Sequence, residues 1–238
     1  MVSWDSTSFA QHLSLNSRIS SERAHRVKTR TIVSPTQGFH FVSTTTISGL
    51  DTFVPENCSA GSLQFVPPDF IIDEYELNQR YQEGYGPLCH VIGERDLELP
   101  VQAVGGRSAA ILAEIPFEPE VKIDIPLHPR YPSPKNGVEL SEPLLPWPWV
   151  IITCGAQEHV GQQLLDQLFS NKTITSRYIL IAPDTPHPST PILVPTGNTS
   201  HQMWVEIGTL LSVSWAFTYV VWCLLKPRQI TNAKLKKS

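Results

Sequence analysis

Along the middle of the chain, apolar and polar residues alternate in short runs. In Val121-Lys122-Ile123-Asp124-Ile125-Pro126-Leu127 the apolar side chains fall on the odd positions, the period-2 pattern of a strand with one buried face. Phe39 to Ile47 has aromatic and β-branched character, and Ser62 to Val66 alternates until Pro67-Pro68 stops it. Leu97 to Val104 alternates across Pro100, and Ala109 to Ile115 is a longer apolar run. Trp149 to Cys154 and Tyr178 to Ala182 read as strands buried on both faces. Gln157 to Phe169 sets Val160, Leu164, Leu165 and Leu168 on one side of a helix. About seven short strands with turns between them predict an all-β, antiparallel sandwich-like domain. Met1 to about Pro35 is rich in Ser, Arg and His and reads as a poorly ordered lead-in, within which His12 to Val27 is compatible with a short helix.

The pattern changes near the C-terminus. Ile207 to Leu225 runs about 19 residues without a charge, close to the ~20 that a helix needs to cross a bilayer. Trp204 and Trp222 sit near its two ends, where aromatic side chains favour the headgroups. The expected organisation is a poorly ordered polar segment at 1–37, a β-rich domain at 38–202, a transmembrane helix at 203–225 and a basic tail at 226–238.

Charge orients this arrangement. The chain totals −4, but Lys226, Arg228, Lys234, Lys236 and Lys237 give the tail +5, so the rest carries −9. Basic residues stay cytosolic, which puts the acidic domain in a lumen or outside the cell. An acidic body also argues against nucleic-acid binding. Sequons at Asn57, Asn171 and Asn198 agree with a lumenal domain. Lys234 and Lys236, fifth and third from the end, resemble the Lys-x-Lys-x-x retrieval signal of endoplasmic reticulum membrane proteins. Met1 to Phe9 shows no basic stretch followed by an apolar one, which keeps a tail-anchored protein with a cytosolic domain as the alternative topology.

Twenty-one prolines against thirteen glycines fit short strands joined by proline-marked loops. Of the four cysteines, Cys223 lies in the apolar helix. Cys58, Cys89 and Cys154 are too dispersed for a local metal knuckle. In an oxidising compartment two of these three pair, and spacing does not choose which.

The chain has no glycine-rich phosphate loop, no Gly-x-Ser-x-Gly elbow and no Asp-x-Asp pair. Asp73-Glu74 with Glu76 reads as a solvated turn, and Cys154 with His159 lacks a matching second pair. No catalytic residue, metal, cofactor or small-molecule substrate of its own is expected.

Ile125 to Pro132 is the most distinctive stretch: a strand ending in a proline-locked turn that carries His128, Arg130 and Tyr131 together. It resembles the His-x-Arg-Tyr element of the PIG-X family, the stabilising subunit of glycosylphosphatidylinositol mannosyltransferase I. Pro68 to Leu77 is similar to that family's Asp and Tyr-Glu-Leu stretch. Asp96 to Pro100 resembles its Asp-Leu-Glu-x-Pro element, and Pro146 to Cys154 its late apolar strand. The resemblance covers roughly Thr45 to Ser238, with Pro129 inside the motif as a departure.

It implies a non-catalytic, single-pass glycoprotein of the endoplasmic reticulum membrane. Such a protein holds a multi-spanning, PIG-M-type mannosyltransferase that adds the first mannose of the anchor precursor, with His128, Arg130 and Tyr131 as partner contacts. The competing readings are a general lumenal folding factor or adaptor, revealed by clients outside the anchor pathway, and a cell-surface β-sandwich receptor or adhesion module, revealed by residence at the plasma membrane.

Overall fold

The computed structural model describes residues 26–53, 58–154, 177–185 and 188–235. They fall into two compact units, one drawn from Met1–Ser133 and Leu140–Thr196, the other from Pro134–Glu139 and Gly197–Ser238.

The first unit is built of strands β1 (Lys28–Ser34), β2 (Phe41–Ser48), β3 (Cys58–Val66), β4 (Phe70–Ile71), β5 (Cys89–Gly93), β6 (Ala109–Ile115) and β7 (Glu120–Pro129). It continues with β8 (Leu140–Ser141), β9 (Leu144–Pro146), β10 (Trp149–Cys154), β11 (Arg177–Ile181), β12 (Ser189–Pro191) and β13 (Val194–Pro195). One sheet has the order β1-β2-β7-β4 and a second β11-β10-β3-β6-β5, with two small two-stranded pairs besides. Neighbouring strands in both sheets run antiparallel. The expected all-β fold with an apolar C-terminal helix is what the structure has.

The alternation in β7 does what its period dictates: Val121, Ile123, Ile125 and Leu127 turn inward while Glu120 and Lys122 stay exposed. They share one core with Phe41 and Ile47 of the same sheet and with Ile111, Val150 and Ile152 of the other. Each such side chain contributes about 1.5–3 kcal/mol by leaving water. Thr31 and Thr45, cross-strand partners facing the same interior, bond to each other at 3.0 Å. That bond offsets the cost of burying two hydroxyls.

Four expectations need correction. Lys28–Ser34, assigned to a poorly ordered lead-in, is the edge strand β1: Thr29, Thr31 and Val33 alternate inward against β2, a signal masked by their polar neighbours. Leu97 to Val104 is no strand. Asp96 Oδ1 accepts the N–H groups of Glu98 and Leu99 and folds a turn, and helix α2 (Val101–Val104) follows after Pro100. It stops at Gly105, whose φ of 63° lies in the left-handed region.

Asp73 to Glu76 is no solvated turn but the start of helix α1 (Glu74–Gln82). The fourth correction is β5, which was not anticipated; Val91 is its single deeply buried residue, too little to show a period. Most of His12 to Val27 and all of Gln157 to Phe169 lie outside the described residues.

In the second unit, Pro134–Glu139 is tied to 197–199. Lys135 N–H donates to Gly197 O at 3.0 Å, Thr199 N–H to Lys135 O at 3.3 Å and Gly137 N–H to Asn198 Oδ1 at 3.2 Å. Helix α3 (Gln202–Leu235) follows. Thr199–Lys226 is long and apolar enough to cross a membrane, and none of its most apolar window is buried within the chain.

Candidate functional site

β7 carries His128 and Pro129 past the end of β2 and pairs them with Ile71 and Phe70 of β4. The next residue turns in. Arg130 is 2% exposed, and its backbone N–H donates to Asp69 O at 2.7 Å. Its Nη1 donates to the carbonyls of Asp96 and Leu99 at 2.6 and 2.8 Å. A planar guanidinium suits this task, because its fixed donors bridge two carbonyls at once.

The turn it grips is itself made by acids. Glu94 accepts from the N–H of Asp96 at 2.9 Å and pairs with Arg107. Burial pushes the Arg130 pKa down from its ordinary value, while Glu94 and Asp96 favour the charged form and Arg107 opposes it. The Glu94 carboxyl is held below the usual carboxylate range, chiefly by the Asp96 N–H, with Arg107 and Arg130 acting the same way against burial.

His128, one residue on from the core residue Leu127, makes contacts of its own. Its Nε2 lies 3.0 Å from Glu76 Oε2, and its ring meets His40 edge to face with centroids 4.8 Å apart. Glu76 is available there because Asp73 caps α1, its Oδ1 accepting from Tyr75 N–H at 2.9 Å and Glu76 N–H at 3.1 Å. The acids of the first turn also suit the positive end of the helix dipole. Glu74 pairs with Arg95 at 2.8 Å, so each of the three acids once read as a solvated turn has a named partner.

Tyr131 faces outward. It is 71% exposed with its ring 4.9 Å from that of Phe39, and its carbonyl accepts from Val101 N–H at 3.3 Å. Tyr75, beside Glu76 on α1, is 83% exposed.

Three stretches far apart in sequence, 68–77, 94–101 and 126–132, thus close on Arg130. Within the motif the roles divide: Arg130 inside, His128 half-buried against an acid, Tyr131 outside. Sequence reasoning found the three stretches but not their convergence; it missed Glu94 and His40 and gave Glu76 and Tyr75 no role in the site. An Asp-x-x-Glu spacing at Asp73 and Glu76, a known helix-start pattern, was the one available signal. Chemically the arrangement is a firm base beneath exposed aromatic and imidazole groups, suited to contact. Among the described residues, no group of three or more His, Cys, Asp or Glu is placed to hold a metal ion.

The other candidates are dispersed. Cys58 is disulfide-bonded, Cys89 and Cys223 are free, and the β3–β10 ladder sets Cys58 across from Cys154. Burial, with the charge of Glu114 adding to it, pushes the Cys89 thiol up to about 12. Asn198 Oδ1 accepts from Ser200 N–H, Ser200 Oγ–H and Gly137 N–H, so this sequon also caps the turn before α3. Asn57, Asn171 and Lys236 lie outside the described residues, and Lys234 falls in the last turns of α3.

Comparison with known proteins adds the family. A family model described as PIG-X / PBN1 matches residues 36–225, which include all three converging stretches and the apolar helix. The chain is 28% identical over 180 residues to Protein pbn1 of Schizosaccharomyces pombe, covering 72% of this chain and 52% of that protein. It is 29% identical over 115 residues to Protein PBN1 of Yarrowia lipolytica, covering 42% of this chain and 22% of that protein. The matches span about half of the first relative's length and less of the second's.

Proposed function

The chain belongs to the PIG-X / PBN1 family, and from that premise we propose that it is a non-catalytic stabilising subunit of a glycosylphosphatidylinositol mannosyltransferase. The catalytic partner is a multi-spanning, PIG-M-type enzyme of the endoplasmic reticulum membrane that adds the first mannose to the anchor precursor. The observation that carries this reading is the closure of three separate segments on Arg130, which leaves Tyr131 and Tyr75 exposed over a fixed frame. Rigid, exposed tyrosines are the side chains from which binding surfaces draw most of their energy. On this reading Tyr131 contacts the partner, Arg130 holds the frame, and His128 with Glu76 fixes the flank.

The domain is lumenal and the basic tail cytosolic. A disulfide-bonded Cys58 supports an oxidising compartment, and the five cations after Leu225 support the orientation. Lys234 and Lys236 then serve retrieval, and Asn57, Asn171 and Asn198 are the candidate glycan acceptors, Asn171 first among them.

Affinity capture of the full chain from mild detergent tests the proposal. One multi-spanning mannosyltransferase is expected to co-purify, and Tyr131→Ser is expected to reduce it severalfold while the chain stays folded. Capture of many unrelated membrane proteins in equal amounts would instead make this a general folding factor.

A further inference from the structure

Helix α3 differs around its circumference. At 100° per residue, Gly208, Ser212, Trp215, Tyr219 and Trp222 line one face, while Leu210, Val213, Phe217, Val220 and Leu224 line the opposite one. From Leu210 to Leu224 the second face is apolar and suited to lipid. The first carries an aromatic ladder. Trp215 stacks on Tyr219 with centroids 6.1 Å apart, Tyr219 meets Trp222 at 6.2 Å, and Lys226 Nζ lies 4.6 Å over the Trp222 ring.

Two of the aliphatic hydroxyls on this helix are satisfied within it. Ser212 Oγ donates to Gly208 O and Thr218 Oγ1 to Ser214 O, both at 2.7 Å. The Trp215 indole N–H and the Tyr219 hydroxyl have no hydrogen-bond partner among the described residues. With this helix across a bilayer, as proposed above, both fall within the hydrocarbon. Thr199–Lys226 has its midpoint at Ser212–Val213, so Trp215 lies only ~4 Å beyond it along the axis. Tyr219 lies ~10 Å beyond it, still within the ~15 Å half-thickness of the hydrocarbon. Side chains on a helix lean toward its N-terminus, which for Tyr219 is the direction of Trp215 and of the bilayer centre, and its ring lies between those of Trp215 and Trp222. A donor left bare there is costly.

We infer that this face docks against a membrane-spanning helix of another protein, one that presents a side-chain acceptor (a carboxamide, carboxylate or exposed carbonyl) at mid-bilayer. Gly208 and Ser212 allow the close approach such packing needs. Leu211, Ser212, Ser214, Trp215 and Thr218 line a shallow groove beside the ladder that admits a neighbour's side chains. A second copy of this chain fits less well, because it brings the same two donors and only hydroxyl oxygens, those of Ser212, Thr218 and Tyr219, to receive them. The inference rests on the reading above, which supplies a multi-spanning partner, and makes the helix a second point of attachment rather than an anchor alone.

The test uses the full chain in cells lacking the native copy. Tyr219→Phe removes one hydroxyl and is expected to lower co-captured partner roughly threefold. Trp215→Leu with Tyr219→Leu, which keeps the span apolar, is expected to lower it about tenfold. Phe217→Leu on the opposite face is expected to leave capture unchanged. A photo-crosslinking phenylalanine analogue at position 219 should join a multi-spanning protein, and at position 213 only lipid. Equal capture by all variants, or a crosslinked dimer of this chain from position 219, would overturn the inference. If the wild type brings down no mannosyltransferase but position 219 still crosslinks another multi-spanning protein, the functional reading falls and this one stands.

Discussion

Arg130 and Tyr219 both place hydrogen-bond donors in apolar surroundings, and the chain completes one and not the other. Around Arg130, carbonyls of Asp96 and Leu99 arrive from one segment and Asp69 O from another, while Glu94 and Asp96 supply the charge. Its buried Nε is left without a partner among the described residues. On α3, Trp215 and Tyr219 stack on each other, which satisfies their rings but not their N–H and O–H groups. A sandwich unit folds by pairing most of the polar groups it buries. A membrane helix forms from its backbone alone, so it can leave side-chain donors for a neighbour.

The sharpest way to break this comparison is to remove what makes the sandwich self-sufficient. Cys58→Ser deletes a disulfide and is expected to cost about 2–5 kcal/mol. Hydrogen exchange of β3 and β10 in detergent-solubilised full chain measures it, and peptide mapping of the wild type is expected to join Cys58 to Cys154. Cys89→Ser should cost little. Equal losses from both would show that packing at these sites, and not the cross-link, matters.

Arg130→Ala comes next, at about 2–4 kcal/mol, because it empties a buried site and abandons two carbonyls and two acids. Arg107→Ala, at a side chain 40% exposed, should cost under about 1 kcal/mol. Partner capture is expected to fall in the same order. Tyr131→Ser should separate the two readouts, leaving thermal stability within about 0.5 kcal/mol while capture drops. Loss of stability from Tyr131→Ser would show that the tyrosine belongs to the frame.

How far sequence reached follows from where the energy lies. The long strands were legible because alternation at Val121 to Leu127 and the apolar run at Ala109 to Ile115 are burial patterns written directly in residue type. β1 was not, because its inward residues are two threonines and a valine while an apolar Ile32 faces out beside Lys28, Arg30 and Ser34, and its strand state comes from pairing with β2. Leu97 to Val104 alternates like a strand yet folds as a turn and short helix. There the Asp96 side chain outcompetes a ladder for the local N–H groups. The motif at His128 to Tyr131 was visible as a unit, but its division into buried and exposed members depends on contacts with residues about 30 to 60 positions away.

A smaller effect sharpens the same comparison at the helix start. Asp73→Ala removes the acceptor for two N–H groups and is expected to cost about 1 kcal/mol. It should speed hydrogen exchange at Tyr75 and Glu76 and loosen the Glu76–His128 contact. Asp73→Asn, which keeps a capping oxygen, should restore most of the loss. Failure of the Asn variant to recover would point to the charge at the helix dipole instead.

The smallest effect concerns the acid beneath Arg130. Glu94 ordinarily titrates near 4.5 and is held lower in the fold, first by the Asp96 N–H and then by Arg107 and Arg130. The folded protein therefore binds this proton less readily than the unfolded chain. Its contribution to stability is fully present above the ordinary value near 4.5 and is lost as pH falls through the lower folded value. Many carboxylates titrate in that range, so the informative quantity is the difference between wild type and Glu94→Gln. Thermal midpoints of the two are expected to lie apart by a constant amount from pH 6 to pH 5 and to converge as the solution is acidified below about 4.5. Tyr219→Phe should track the wild type at every pH, because its missing bond belongs to a neighbour and not to this network. Midpoints for Glu94→Gln that stay equally far from the wild type at all pH values would show that the carboxylate acts by shape and hydrogen bonding, and not by its charge against Arg107 and Arg130.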